Sequence, residues 1–110
     1  MKIGDWLFKA GGTTMYGPTF GRGGLGVIFT VSILALLGSP SLTITVEHKN
    51  HDDTTFTTLG TFSLINAMGD FTKNLSGVKE EVRFAYSISA TNDWEGVLLN
   101  MTAPAWRPYA

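Results

Sequence analysis

Apolar and polar residues alternate along most of this chain with a period of two, which predicts β-strands. The longest such run spans residues 82–90, and a second spans residues 42–48. Successive side chains of a strand point to opposite faces of its sheet, so each run is expected to have one buried face and one wet face. No window longer than about ten residues has the apolar spacing of a helix. We therefore predict an all-β protein.

A third apolar run lies inside the segment from Gly23 to Val46, which contains no charged residue. Its apolar part, residues 25–37, is about 13 residues long, whereas a membrane-spanning helix needs roughly 20. The run is rich in β-branched residues and is followed by the turn-forming residues 38–41. We interpret it as a long strand with a polar side only in its middle, so both of its ends are predicted to be buried on both faces.

Shorter strands are predicted at residues 55–59, 62–65 and 70–72, and a last strand at residues 94–102. About seven short strands joined by regular turns are typical of a two-sheet antiparallel β-sandwich, here jelly-roll-like, with a small barrel as the alternative closure. We assign the sandwich to residues 23–103. Its predicted core consists of Val27, Phe29, Val31, Ile33, Leu42, Ile44, Val46, Val82, Phe84, Tyr86, Ile88, Val97, Leu99 and Met101.

The two ends of the chain are predicted to be extended arms, residues 1–22 and residues 104–110. Pro104 and Pro108 are expected to prevent regular ladder pairing of the C-terminal tail. Aromatic side chains on such arms either fold back onto their own domain or dock on neighbouring copies, because exposed apolar area is normally an interface. The candidate partner contacts are Trp6, Phe8, Tyr16, Phe20, Trp106, Arg107 and Tyr109.

Composition excludes several functions. The chain has no cysteine, so it has neither a disulfide framework nor a thiolate metal site. Its formal net charge is −1, which offers no basic field for nucleic acid. Charged residues make up 15% of the chain, against about a quarter in average soluble domains. With so little charge available for solvent, part of the exterior is expected to be covered by another subunit.

The only dense polar cluster is the segment of residues 48–53, which contains His48, His51, Asp52 and Asp53. Asn and Asp are ordinary turn residues, and consecutive turn residues diverge, so a hairpin-end loop is preferred over a metal site. Whether this loop binds a cation is left open. The sequence has no G-x-S-x-G elbow, H-E-x-x-H helix or Walker loop. We therefore assign no catalytic, cofactor-binding or metal-ligating residue and predict that the protein is not an enzyme.

Two segments carry a resemblance to a known group of proteins. They are GSPSLTITVEHKNHDDTTFTTLGTF, residues 38–62, and VKEEVRFAYSISATNDWEGVLLNMTAPAWRPY, residues 78–109. Together with the apolar strand before them, they resemble small β-rich structural proteins encoded in the virion modules of tailed bacteriophages and related prophage or gene-transfer elements. The likeness covers residues 24–109 and consists of strand-and-turn texture rather than a catalytic signature.

The resemblance implies a non-enzymatic structural protein of a virion, assembled in the host cytoplasm without a signal peptide. We expect a capsid decoration or cement protein that packs between subunits through its apolar arms, with a head–tail connector element or a tail protein as alternatives. Its partners would be copies of itself and the major capsid protein or other virion proteins, with no nucleic acid, membrane, small-molecule substrate or cofactor. Removing residues 104–110 is then expected to weaken particle binding while the sandwich stays folded.

Two other functions have distinct signatures. A carbohydrate-binding or receptor-binding module would use Trp94 and neighbouring aromatic rings as a stacking platform, and at least two exposed rings would then lie on one face. An enzyme would need a pocket around His48 or His51, which the local sequence does not suggest.

Overall fold

The alternating segments fold as antiparallel strands. The computed structural model describes residues 3–8, 14–89, 94–101 and 104–108, and these residues form strands and no helix. The strands are β1 (Ile3–Phe8), β2 (Met15–Tyr16), β3 (Phe20–Gly21), β4 (Gly26–Leu37), β5 (Ser41–Lys49), β6 (Thr57–Thr61), β7 (Gly69–Ser76), β8 (Glu81–Ser89), β9 (Gly96–Met101) and β10 (Ala105–Arg107).

The strands form two antiparallel sheets. The front sheet has the order β1, β9, β4, β7, with β10 lying beyond the end of β9 along the same side of β4. The back sheet has the order β2, β8, β5, β6, with β3 also pairing with β8. The fold class predicted from the sequence is confirmed.

The topology is that of a jelly roll. Strands of the first half of the chain pair with strands of the second half in nested order. Thus β5 pairs with β6, β4 with β7, β2 and β3 with β8, and β1 with β9. The pairing of β4 with β9 and of β5 with β8 then joins these nested pairs into the two sheets of one sandwich. Because most pairs are distant in sequence, long-range contacts hold the fold together.

The core lies between the two sheets and matches the prediction. Every predicted core residue is buried, and the inward positions of β4, β5 and β8 are those with the apolar period of two. Residues outside the predicted set that join the same core are Phe62, Ile65, Leu75 and Val78.

Several strand boundaries differ from the predictions. The segment predicted at residues 62–65 contributes only an isolated bridge between Leu42 and Ile65, and the backbone N–H of Phe62 donates to the carbonyl oxygen of Ile44. The strand predicted at residues 70–72 is the eight-residue β7. The extended terminal segments pair with their own sheets as β1, β2, β3 and β10, and Pro104 and Pro108 flank β10 rather than interrupt it.

The prediction that both ends of the long strand are buried on both faces is wrong for the single chain. Ile28 near one end of β4 is 37% exposed, and Leu34 and Leu37 near the other end are 55% and 40% exposed. A register shift between Ile33 and Ala35 leaves Leu34 as the extra residue of a β-bulge. One outer face of β4 is therefore both apolar and open to solvent.

Candidate functional site

The outward residues of the back sheet form a charged and internally paired surface. Nε of Arg83 on β8 donates to Oε1 of Glu47 on β5 over 2.7 Å, and Nζ of Lys49 lies 3.5 Å from Oε2 of Glu81. Each ion pair joins directly opposed residues of the two central strands. Such partly exposed pairs contribute little to stability, but they give this face the character of a solvated surface.

Tyr16, one of the predicted partner contacts, lies over this surface. The guanidinium carbon of Arg83 is 4.1 Å from the ring centroid of Tyr16 and 4.1 Å from that of Phe56. This stack attaches the short strand β2 and the loop before β6 to the middle of β8. Tyr16 remains 55% exposed, so its free ring face is still available to solvent.

The polar segment of residues 48–53 forms a tight turn that is tied to the loop before β8. The backbone N–H of Asn50 donates to Oδ2 of Asp53 over 2.9 Å, and the backbone N–H of His51 donates to Oε1 of Glu80 over 3.0 Å. Nδ1 of His51 lies 3.1 Å from Oε2 of Glu81, and this hydrogen bond is the main cause that lowers the pKa of Glu81. Across the described ranges, no group of three or more metal-ligating side chains is arranged to hold an ion.

His48 is buried below this turn as a neutral hydrogen-bond acceptor. Its side chain is 8% exposed, and its Nδ1 accepts the backbone N–H of Lys79 over 3.1 Å. Burial lowers the pKa of His48, and the charge of Lys79 lowers it further, while Asp53 acts in the opposite direction. Protonation would remove the acceptor that holds the loop of residues 77–80, so His48 acts as a structural residue.

We expect the stability of the protein to fall below about pH 6.5 because of His48. Its folded-state pKa lies below the ordinary 6.5, so between those two values the unfolded chain binds a proton that the folded chain does not. The contribution of the neutral ring is therefore fully present above about pH 6.5 and is lost as the pH falls. Urea unfolding at about pH 7.5 and about pH 5 measures this difference.

His48→Asn is the matched control, because the side-chain oxygen of Asn can accept the same backbone N–H but does not titrate. The variant should lose most of the difference in unfolding free energy between the two pH values. An unchanged difference would show that another group causes it.

Two predicted partner contacts, Phe20 and Trp106, lie in an aromatic cluster inside the chain. The ring centroid of Trp106 is 6.5 Å from that of Phe20 and 6.0 Å from that of Phe29, in edge-to-face arrangements. Phe29 is in turn 4.9 Å from Phe84. Since Phe29 and Trp106 belong to the front sheet and Phe20 and Phe84 to the back sheet, the cluster joins the two sheets.

Arg107, also a predicted partner contact, is bonded within the chain. One of its terminal nitrogens donates to the carbonyl oxygen of Leu75 over 3.1 Å. This hydrogen bond connects β10 with β7, the two strands that pair with the start of β4. The backbone of β10 also packs closely on Gly24, where a Cβ atom would overlap the carbonyl oxygen of Arg107. The glycines before β4 therefore leave room for the C-terminal strand β10 to pack against them. Their sequence did not indicate this role.

The remaining candidates have only a backbone position or none. Trp6 pairs in register with Leu98, and Phe8 pairs with Gly96, which makes β1 the edge of the front sheet beside β9. Tyr109 lies outside the described residues.

The surface that sequence reasoning missed is the outer face of the front sheet, which we call the front face. Its two central strands, β4 and β9, contain no charged residue. The bulge residue Leu34, together with Leu37 and Ile28, gives it an apolar and exposed character. The outward residues of β4 and β9 are Ile28, Thr30, Ser32, Leu34, Ala35, Leu37, Leu98 and Asn100. The uncharged segment from Gly23 to Val46 was its signal in the sequence, although the sequence did not show which side stays exposed.

The exposed aromatic rings that the structure describes lie in different parts of the fold. Among the residues whose side-chain burial is described, Tyr16 and Trp94 are the exposed large aromatic residues. Tyr16 belongs to the back sheet, whereas Trp94 precedes β9 of the front sheet. Tyr16 is thus part of one sheet, whereas Trp94 lies in the turn that leads into a strand of the other sheet.

Comparison with known proteins finds no matching family model, no similar curated protein and no similar solved structure. Among the residues that the structure describes, no helix is long and apolar enough to cross a membrane.

Proposed function

We propose that this protein is a non-enzymatic structural component of a tailed-phage particle, of the capsid decoration or cement type. The observation that carries the proposal is the contrast between the two outer faces of the sandwich. The central strands of the back sheet present paired charges to solvent, whereas those of the front sheet present none. Exposed apolar surface on one side of a small domain marks an interaction site rather than a solvated wall.

The jelly-roll topology supports a structural role, because viral capsid domains use this architecture, as do lectin domains. Topology alone does not assign a function, so the weight rests on the front face. The front face offers no cluster of titratable groups in its central strands and no charged group there to orient a substrate. It suits an interface in which contact area, rather than chemistry, is the contribution of each copy.

This proposal places the contacts differently from the terminal arms expected from the sequence. Phe20, Trp106 and Arg107 are engaged inside the chain, and Tyr16 covers Arg83 on the back sheet. A rigid sheet face loses little conformational entropy on binding, whereas a free arm must be ordered at that moment. Binding through a sheet face of this kind thus costs less conformational entropy than binding through a free arm.

The test is whether the chain is part of the particle. Particles produced by the genome that encodes it should be purified by density-gradient centrifugation and analysed by quantitative mass spectrometry. We expect the chain in many copies per particle, and electron microscopy should locate it on the capsid exterior. Density at the neck or the tail would instead identify a connector or tail component. Recovery of the chain only in the soluble fraction, with none in purified particles, would overturn the proposal.

A further inference from the structure

We propose that the front face binds a second copy of this chain, face to face, about a two-fold axis that runs along the strands between β4 and β9. This inference rests on the proposed function, because it names the partner of the surface on which that function depends. It also makes a prediction about the isolated protein, which can be tested without any particle.

The sequence of β4 does not match its environment in the single chain. A nearly continuous apolar run is typical of a strand that is covered on both faces. In the single chain, the inward residues of β4 are buried, but Leu34 is 55% exposed and Leu37 is 40% exposed on the other side. A second layer over the front face would give the strand the environment that its sequence indicates.

The central strands of the front face are free of charged residues, which suits contact with an identical face. Two identical faces meet favourably only when they bring no like charges together and strip no charge of its water. The central strands β4 and β9 meet this condition, since neither contains a charged residue. The charged residues of the front sheet lie on its outer strands: Asp5 on β1, Asp70 and Lys73 on β7, and Arg107 at the end of β10, where its side chain bonds to Leu75. None of these charges lies on the two central strands of the proposed contact.

The strand order of the front sheet favours an axis between β4 and β9. An axis between β4 and β9 lies in the middle of the four-strand order β1, β9, β4, β7, so it gives the greatest overlap of the two faces. It places β4 of each copy over β9 of the other. Because Ala35 and Leu98 share a register level, as do Ser32 and Asn100, Leu98 of each copy then faces Ala35 of the other, and Ser32 faces Asn100. Apolar residues therefore face apolar residues, and polar residues face polar residues. The two Asp70 side chains go to opposite rims.

The front face has an area similar to that of one side of a stable protein interface. The 12 residues of β4 extend about 40 Å at roughly 3.3 Å per residue. Four strands spaced by about 4.8 Å, some of them shorter, give a face of roughly 600–750 Å². Stable protein interfaces bury about 600–1,000 Å² per partner, so this face is large enough for a dimer. Two sheets that pack in this way lie about 10 Å apart, as in the interior of a sandwich.

The absence of cysteine makes the test direct. Ser32→Cys introduces one thiol at the centre of the front face, and Ser87→Cys introduces the same substitution on the outer side of the back sheet. With a short-spacer bismaleimide, we expect rapid formation of a covalent dimer by Ser32→Cys and little by Ser87→Cys. Equal rates for the two variants would overturn the proposed face.

Analytical ultracentrifugation supplies the second measurement. We expect the unmodified chain to sediment as a dimer and Leu34→Asp to raise its Kd at least about tenfold, because a carboxylate would be buried in the contact. Leu64→Asp, the same change at another exposed leucine outside the front face, should leave the Kd unchanged. Circular dichroism should show both variants folded, since both side chains are exposed. A folded chain that stays monomeric at its highest soluble concentration would overturn the inference.

The two proposals fail in different ways. A monomeric chain that is nevertheless recovered in purified particles would overturn the dimer and leave the structural role intact. A dimer with the predicted cross-linking that is absent from purified particles would overturn the structural role and leave the dimer intact.

Discussion

Trp106→Ala is expected to lower the free energy of unfolding by roughly 3 kcal/mol, at the lower end of the range for a core tryptophan because the ring is only partly buried. The substitution removes edge-to-face contacts with Phe20 and Phe29 and opens a cavity between the two sheets. It also frees β10, whose three residues pair with the start of β4. The measurement is urea unfolding of the purified variant, followed by circular dichroism.

Trp94→Ala is the matched control, because Trp94 is 60% exposed and its removal leaves no internal cavity. Its effect should stay within about 0.5 kcal/mol. If the two tryptophan variants were equally stable, Trp106 would not be part of the core. The same reasoning revises the truncation predicted from the sequence: removing residues 104–110 removes a core side chain, so this deletion would destabilise the sandwich and is unsuitable as a test of partner binding.

Phe29→Ala is expected to lower the free energy of unfolding by about 4 kcal/mol, which is a large fraction of the roughly 5–15 kcal/mol that stabilises an ordinary domain. Phe29 is fully buried in the middle of β4, and its ring contacts aromatic rings from both sheets, including Phe84 at 4.9 Å. Alanine would leave a cavity that the two sheets cannot close without losing their register. Thermal and urea unfolding measure the loss.

Ile28→Ala is the control on the adjacent residue of the same strand. Its side chain lies on the front face and is 37% exposed, so the monomer should lose no more than about 1 kcal/mol. A large loss at Ile28 with a small loss at Phe29 would reverse the assignment of inner and outer faces. Both measurements should be made at low protein concentration, where association through the front face contributes least.

The asymmetry between the two faces has a simple physical consequence. Ion pairs such as that of Arg83 with Glu47 keep the back sheet wet, while the front sheet offers leucines and small polar residues that lose little on leaving water. A domain of this kind can pack by one side and remain soluble by the other. The central strands that lack charged residues are therefore on one face of the sandwich, whereas the other face carries ion pairs.

Much of the fold could be predicted from the sequence, because side-chain alternation is a local property of each strand. The inward residues of β4, β5, β8 and β9 followed from their spacing alone. Strands with a weak apolar period were harder: β7 extends well beyond its three predicted residues, and the segment of residues 62–65 forms only a bridge through Ile65. Short terminal strands had no periodic signal, since β2, β3 and β10 have only two or three residues.

The candidate site was harder to predict than the core. The aromatic residues of the termini were identified as contacts, but whether Trp106 meets a neighbour or its own core depends on the close packing of Arg107 on Gly24, which joins distant parts of the chain. The front face depends on which side of β4 receives the second sheet. No local pattern contains that information, because a strand with apolar residues on both sides can be covered on either one.

The sequence by itself determined the class of the protein: period-two alternation predicts strands, the turn-forming residues separate them, and the alternating apolar positions identify the core. The tertiary structure alone decided the nested pairing of the strands, the burial of the terminal aromatics and the exposure of Leu34 and Leu37. The physical reason is the distance along the chain between the residues that interact. Alternation arises between neighbouring residues, whereas pairing and exposure follow from contacts between segments far apart in the chain.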